Sequence, residues 1–492
     1  MSNNLVAGHA DEVNDRWVFI GFLALVVWVP LPLGSNRVWA IGILLLMTLV
    51  LLVSLLLVWR RSLGAALERL KLFRWPLGLL ASMVTLSWAQ TFDLPAVWVE
   101  TLSPMSAAAQ APAMWMTLSL DVFQSRIMAS LSFVYFVAFV VAVLTVRTAT
   151  RLDQLAQVLV WSGVLQAVLG AVLFSMKAEY RIFFSPVLHA RMIGTFVNPN
   201  SLSAYLCMCL SIGIGLMLAR LGSNQARYPN WRARLVVAID FTLSAKMRLR
   251  LLLVVMVIAL VLTRSRMGNA AFFAAMLVVG FVAIVLMRKT APQTIALIVS
   301  LVIIDVLVVG TWVGLEQVVQ RIQETELTVA AGGQSDSVEV RTVYTRTALA
   351  LARDFLLVGS GGGSFYNVFL SYRTPDYGYS YVDHAHNDFV EIASDYGLLG
   401  LGILGLLVAL TLWTVLKVMA RRRSALVRGM AFGVAMSVVA LLVHSTVDFN
   451  LQIPANALTI VVILAMGWIA HTLPSSALQR RSLPKKKREL SE

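Results

Sequence analysis

The chain has 492 residues, of which 59% are hydrophobic and only 13% charged, against roughly 25% charged in a soluble domain. Its mean hydropathy of +0.80 and its apolar stretches of bilayer length exclude a soluble multidomain enzyme, because about 20 apolar residues cross a bilayer as a helix. The formal net charge of +15 does not point to nucleic acid, since the Lys and Arg residues cluster between apolar blocks, the placement that fixes membrane topology.

In chain order the apolar blocks fall at 17–33, 38–59, 75–91, 127–146, 152–176, 200–219, 251–263, 269–287, 292–312, 396–416, 429–447 and 455–473. They predict an all-α, polytopic integral membrane protein with about 12 transmembrane helices. The first block follows an acidic leader, "DEVND", with no clean small-residue cleavage site after it, so it reads as an uncleaved span and not a signal peptide. Residues 92–126, rich in Ala, Met and Pro and poor in charge, suit the membrane surface. Cys207 and Cys209 are the only cysteines; two positions apart on one helix they point in different directions, which predicts packing and neither a mutual disulfide nor a metal pair. The block at 251–263 is short, and the preceding "RLRLLLVV" extends it if its arginines snorkel.

The predicted organisation is an N-terminus over 1–16, nine spans over 17–312, a large loop over 313–395, three further spans over 396–473 and a basic tail over 474–492. More than two thirds of the Lys and Arg lie in 1–16, 60–74, 147–151, 220–250, 288–289, 417–428 and 474–492. That side is therefore cytoplasmic, with both termini inside, and the tail suits anionic lipid headgroups. In the large loop, "SVEVRTVYTRTALALARDF" has helical spacing, with Val340, Val343, Tyr344, Thr347, Ala348 and Leu351 on one face, and the Gly run at 359–363 is expected to end that helix. No internal repeat or low-complexity stretch occurs.

With that topology, four polar stretches converge on the non-cytoplasmic face: "HARMIGTFVNPNSLSAYL" (189–206), "TRSRMGNAA" (263–271), "YVDHAHNDFVEIASDYGLLG" (381–400) and "HSTVDFNLQ" (444–452). Arg191, Arg264 and Arg266 sit at the boundary of apolar helices. A guanidinium there either anchors to headgroups or pairs with an acid, or it binds phosphate oxygens through its planar fork, and two or three would suit a diphosphate. His384 and His386 are candidate general bases; the alternatives are ordinary loop histidines, or metal ligands together with Asp388 and with Asp383 or Glu391 as a fourth. Zinc normally takes three or four ligands, and no second His/Cys cluster is present, so no metal is predicted. His444 and Asp448, spaced i, i+4, either orient one another in a pocket or are packed polar groups at a helix end. Asn198, Asn200, Asn387 and Asp388 complete the polar set expected to support the pocket. "GSGGGSF" lacks the Lys-Ser/Thr of a P-loop and reads as a turn or a close-packing site.

The order of these motifs resembles the O-antigen ligase and polymerase superfamily. The features that carry it are about twelve spans, "RMIGTFVNPNSLSAYL", an "SRMG" at a helix boundary, a large outer loop with "GSGGGSF", then "HAHNDFVEIASDYGLLGLG" and "HSTVDF"; they run from about residue 150 to 475. The resemblance implies a membrane-embedded C-type glycosyltransferase of the bacterial inner membrane with a periplasmic active site. It takes a glycan from an undecaprenyl-diphosphate carrier and transfers it with inversion, without metal or other cofactor, to an acceptor hydroxyl. That acceptor is lipid A–core for a ligase and the next lipid-linked repeat unit for a polymerase, in lipopolysaccharide or exopolysaccharide synthesis. Arg191 and Arg266 match the family's diphosphate-contacting arginines, and His386, followed by Asn387, matches its loop histidine; His384 is a departure from the pattern. Membrane lipids and other polysaccharide assembly proteins are the further implied partners. The competing classes are a polysaccharide transporter or flippase, which would show broken spans and midplane charges, and an inactive scaffold of an assembly complex.

Overall fold

A computed structural model describes residues 14–177, 179–180, 191–221, 245–287, 338–373 and 382–474. Its helices are α1 (Arg16–Trp28), α2 (Val38–Trp59), α3 (Leu63–Lys71), α4 (Arg74–Ala89), α5 (Ala96–Leu102), α6 (Pro104–Ala109), α7 (Val122–Thr145), α8 (Ala149–Ser175), α9 (Pro199–Leu221), α10 (Ala245–Leu262), α11 (Arg266–Leu286), α12 (Val338–Asp354), α13 (Phe365–Phe369), α14 (Asp388–Arg421), α15 (Ala425–His444) and α16 (Pro454–Thr472). Among the described residues the only sheet is a two-residue antiparallel pair, Leu94–Pro95 with Trp115–Met116.

Among the described residues eight helices (α2, α7, α8, α9, α11, α14, α15 and α16) are long and apolar enough to cross a membrane, and the protein is a helical multi-pass membrane protein. Every predicted block except 292–312 overlaps a helix. That block lies outside the described residues, as do 1–13, most of the first part of the large loop (313–337) and the tail from 475. Three of the overlapping helices fall short of the eight: α1 has 13 residues, α4 has 16, and α10 opens on Lys246, Arg248 and Arg250. The first block ends early because Pro30 and Pro32 cannot continue the helix; there the chain turns, and Ser35 Oγ donates to Val29 O at 2.7 Å. Residues 92–121 form a small platform carrying the exposed aromatics Phe92, Trp98 and Trp115. In α12, Ala348 and Leu351 are fully buried as predicted, whereas Val343 is exposed, and the helix ends at Asp354, before the Gly run.

The helices α7, α8 and α9 alternate in direction, as do α14, α15 and α16. At the lower end of the bundle, where α1, α8 and α15 begin, Arg147 and Arg151 close on Asp15 at 3.1 and 2.7 Å. At the upper end begin α9, α11, α14 and α16. The central helix is α9, almost wholly buried, and it crosses α15 at glycines. A Cβ on Gly215 would lie 2.3 Å from Gly429 O, and one on Gly429 would lie 2.3 Å from Gly215 O. Within a membrane, where lipid is as apolar as leucine, such backbone-to-backbone contact is a main source of helix association. Cys207 and Cys209 are buried beside it, with Cys207 Sγ donating to Gly268 O at 3.4 Å, which fits their predicted packing role.

The upper end is organised by a break in α14. The helix starts at Asp388, earlier than the apolar block at 396–416 implied, and is interrupted at Gly397 (φ 65°, ψ −170°). The interruption costs the carbonyls of Ser394 and Asp395 their helical donors, the N–H groups of Leu398 and Leu399. All four groups find partners in the segment after α12. Leu398 N donates to Leu356 O (2.8 Å) and Leu399 N to Leu357 O (3.2 Å), while Ser360 N donates to Ser394 O (2.8 Å) and Gly361 N to Asp395 O (3.1 Å). Gln90, at the end of α4, seals the joint: its Nε2 donates to Val358 O (2.7 Å) and Asp395 O (2.8 Å), and its Oε1 accepts from Gly362 N (3.1 Å). The "GSGGGS" stretch is thus a close-packing site, the second of the two readings of its sequence.

A Cβ at Gly397 would meet Leu357 O at 2.2 Å and would also hold an L-residue at positive φ. Gly397→Ala should therefore destabilise the protein by more than about 2 kcal/mol. Gly402→Ala in the same helix, where a Cβ meets nothing within 4 Å, should be neutral or stabilising by up to about 1 kcal/mol. Thermal unfolding of the two variants in detergent separates them, and equal midpoints would show that the break is not required.

Candidate active site

The arginine side of the site is built where α9 and α11 begin. Asn198 and Pro199 start α9: Asn198 Oδ1 accepts from Asn200 N at 2.8 Å, and Pro199 occupies the first turn, where its missing N–H costs nothing. The preceding loop is pinned to its surroundings. Thr195 Oγ1 donates to Pro30 O at 2.6 Å, Thr195 N donates to Gln166 Oε1 at 3.3 Å, and Met192 N donates to Leu262 O at 3.4 Å. The last bond brings Arg191 next to the α10–α11 turn that carries Arg264 and Arg266. Arg264 sits at φ 52°, an uncommon conformation for a side chain of its size. Ser265 caps α11 by accepting Gly268 N at 3.2 Å, which fixes Arg266 as the first residue of that helix. All three arginines are exposed, and among the described residues none of them forms an ion pair. Asn200 is buried in the first turn of α9, and Asn198 acts as a helix start.

The histidine side is built on the first turn of α14. Asn387 is its N-cap, with Oδ1 accepting from Phe389 N (3.0 Å) and Val390 N (3.2 Å), while Nδ2 donates to Thr446 O (2.9 Å). Asp388 is fully buried and ties the α15–α16 corner to the helix. Ser445 Oγ donates to its Oδ2 at 2.5 Å, and Leu451 N donates to its Oδ1 at 3.0 Å. His386 precedes the cap at φ 51°, and this turn folds His384 back over the helix. There His384 Nδ1 lies 2.7 Å from Glu391 Oε1, and Glu391 Oε2 accepts from Ala385 N at 2.9 Å. Phe449 stacks on the His384 ring (centroids 4.1 Å apart, 19°) and meets His386 edge-on (5.1 Å, 77°). Tyr344 of α12 lies 6.2 Å from His386 on its other flank.

Burial opposes protonation of His384, but the charge and hydrogen bond of Glu391, with smaller contributions from Asp383 and Asp388, overcome it and raise its pKa from 6.5 to about 9. His384 is therefore an imidazolium near neutral pH. Glu391 entered the sequence reading only as a possible metal ligand, and Phe449 and Tyr344 did not enter it as site residues. Their roles depend on the turn at His386, which no spacing rule describes. Among the described residues no three His, Cys, Asp or Glu side chains come together as a metal site; Asp388 is directed to Ser445 and Leu451, away from a ligand set with the histidines.

His444 and Asp448 do face one another, but not as one turn of a helix. α15 ends at His444, so Asp448 lies beyond the helix and not one turn along it, and the two are brought to 3.9 Å by the corner itself. Both are buried.

Because the folded-state pKa of His384 is raised, its ion pair contributes stability that is complete below the unfolded value of about 6.5 and is lost as pH rises through about 9. The unfolding midpoint of the wild type should fall over that window, and Glu391→Gln should flatten the fall. A Glu391→Gln profile parallel to the wild type would show that the pair is not formed.

The arginine and histidine sides occupy the same end of the bundle, and direct bonds join the elements between them: Asn456 Nδ2 of α16 donates to Ser201 O of α9 at 3.1 Å, and Asp388 N of α14 donates to Ser445 O at 3.0 Å. No curated protein matches the chain. The family model described as O-Antigen ligase matches residues 251–405, a segment that holds Arg264, Arg266, both loop histidines, Glu391 and the Gly397 break. Over that segment the chain is similar to the O-antigen ligase family.

Proposed function

We propose that the protein transfers a glycan from an undecaprenyl-diphosphate carrier to an acceptor hydroxyl at the upper end of the bundle. The observation that carries this reading is the group of three exposed arginines, unpaired among the described residues, at the end that also holds a buttressed pair of histidines. A diphosphate is a good leaving group that needs charge stabilisation more than protonation, and preorganised guanidinium groups supply it. The bond from the anomeric carbon to the diphosphate oxygen breaks as the acceptor oxygen attacks the opposite face, so the configuration inverts. The acceptor proton passes to a base. His384, held protonated by Glu391, is unsuited to that role near neutral pH, and His386 is assigned it; His384 serves as a fixed cation that positions the loop through Phe449. No metal enters this scheme.

A helix broken near the membrane boundary is also a transporter feature. Here the break is closed by backbone partners from residues 356–361, which favours a rigid joint over a substrate passage, and we hold transfer as the better reading. The upper end is assigned to the periplasm and the chain to the bacterial inner membrane, with both termini and the basic tail cytoplasmic and residues 313–395 forming the periplasmic loop. A reporter inserted at Ser424 should accordingly read cytoplasm and one at Gln334 periplasm; the reverse pattern would put the site on the wrong side of the membrane for this chemistry.

Purified protein incubated with a lipid-diphosphate-linked glycan tests the activity, with lipid A–core and a second lipid-linked repeat as alternative acceptors to separate ligase from polymerase. Arg191→Ala and Arg266→Ala should each reduce transfer at least about a hundredfold, the size of loss seen for a single donor to developing charge. Lys at either position should restore only part, since it lacks the bidentate fork. Arg264→Ala should cost less. His386→Ala should lose nearly all activity and His384→Ala less, and wild-type activity should survive a chelator and decline at acid pH, where an imidazole base is protonated. Full activity in His386→Ala with none in His384→Ala would reverse the assignment.

A further inference from the structure

At the lower end, opposite the site, a crevice of about 540 Å³ opens between α1 and α8. Its mouth carries Arg16, Arg151, Gln154 and Gln157. Both helices begin at this end and run the same way, so the residues that follow lie progressively deeper. On α1 the lining passes from Arg16 to Ile20 and Leu23; on α8 it passes from Arg151 to Trp161. At 1.5 Å of rise per residue, each wall changes from cationic to apolar over roughly 10 to 15 Å. Both walls therefore run from cationic to apolar with depth, α1 by Ile20 and α8 by Val158 after the polar Gln154 and Gln157, an order that matches a phosphate headgroup above an acyl chain.

Among the described residues, Arg151 at the mouth shares the buried carboxylate of Asp15 with Arg147, so that carboxylate offsets one of those two charges. Asp153, the other carboxylate nearby, faces Arg220 at 3.5 Å and the Gln157 amide. Arg16 is exposed and forms no ion pair among the described residues. Among the described residues the mouth thus keeps a positive excess, and Trp17, exposed in the first turn of α1, stands where an indole favours the membrane–water boundary. We infer that this crevice is a binding site for an anionic membrane phospholipid, with the headgroup phosphate between Arg16 and Arg151 and an acyl chain along Leu23 and Trp161. The inference is independent of the proposed transfer reaction.

Titration of the purified full-length protein with phosphatidylglycerol, read by native mass spectrometry, tests it. Arg16→Gln should weaken binding about fivefold, the worth of one arginine at an anionic surface. Gln154→Glu, an exposed position that adds a negative charge to the mouth, should weaken it at least as much. Both variants should keep the wild-type unfolding midpoint and transfer rate. Phosphatidylcholine should bind at least fivefold more weakly than phosphatidylglycerol, and millimolar inorganic phosphate should not displace the lipid. Unchanged binding in Gln154→Glu, equal affinity for phosphatidylcholine, or displacement by phosphate alone would overturn the assignment.

Discussion

Inside a bilayer a backbone polar group has no water to turn to, so a helix can be interrupted only where other protein groups take over its hydrogen bonds. The interruption at Gly397 meets that demand. Two N–H groups and two carbonyls leave the helical ladder, and residues 356–361 supply two carbonyls and two N–H groups in return, with the Gln90 side chain adding a second donor to Asp395 O and reaching two further backbone groups, Val358 O and Gly362 N. Glycine is required because the joint needs positive φ and because Leu357 O stands where a Cβ would be. The consequence is a rigid bracket: the segment after α12, the end of α4 and the upper part of α14 are locked together, and the first turn of α14 stands on that bracket.

The rest of the upper end follows from where that first turn is held. Asp388 spends its oxygens on Ser445 and Leu451, which fixes the α15–α16 corner and with it Phe449. Phe449 in turn packs against both histidines, and Glu391, one turn after Asn387, holds His384. On the other side, Asn456 Nδ2 of α16 donates to Ser201 O of α9, which ties the start of α9, beside the arginine-bearing loops, to the same end. The buried polar residues of α14 are thus mostly scaffolding, while the three arginines at the same end stay exposed.

Much of this was legible in the sequence because hydropathy and charge report directly on burial in lipid. The apolar blocks anticipated the helices, and the alternation of Lys and Arg brought the four polar stretches to one face. The apolar block at 396–416 covers only part of α14, for a physical reason. Hydropathy senses the lipid-facing part, which begins near Leu398, whereas the capping signals Asn387, Asp388 and Glu391 mark the true start; both are correct, and the chain joins them at a break that "SDYGLLG" does not advertise. The bond between His384 and Glu391 was illegible for a similar reason, since it depends on the left-handed turn at His386. The His444–Asp448 pair was assigned to a helix that ends at His444, so their proximity survives with a different cause.

The central claim is that the arginine loops and the histidine loop face one bound lipid diphosphate. Its most direct test is labelling of the purified protein with a photoreactive prenyl diphosphate analogue, followed by mapping of the modified peptides. Labelling should fall on peptides containing Arg191, Arg264–Arg266 and His384–His386 together, and undecaprenyl diphosphate should compete for all of them. Labelling confined to one loop, or centred on the lower crevice, would contradict a shared site.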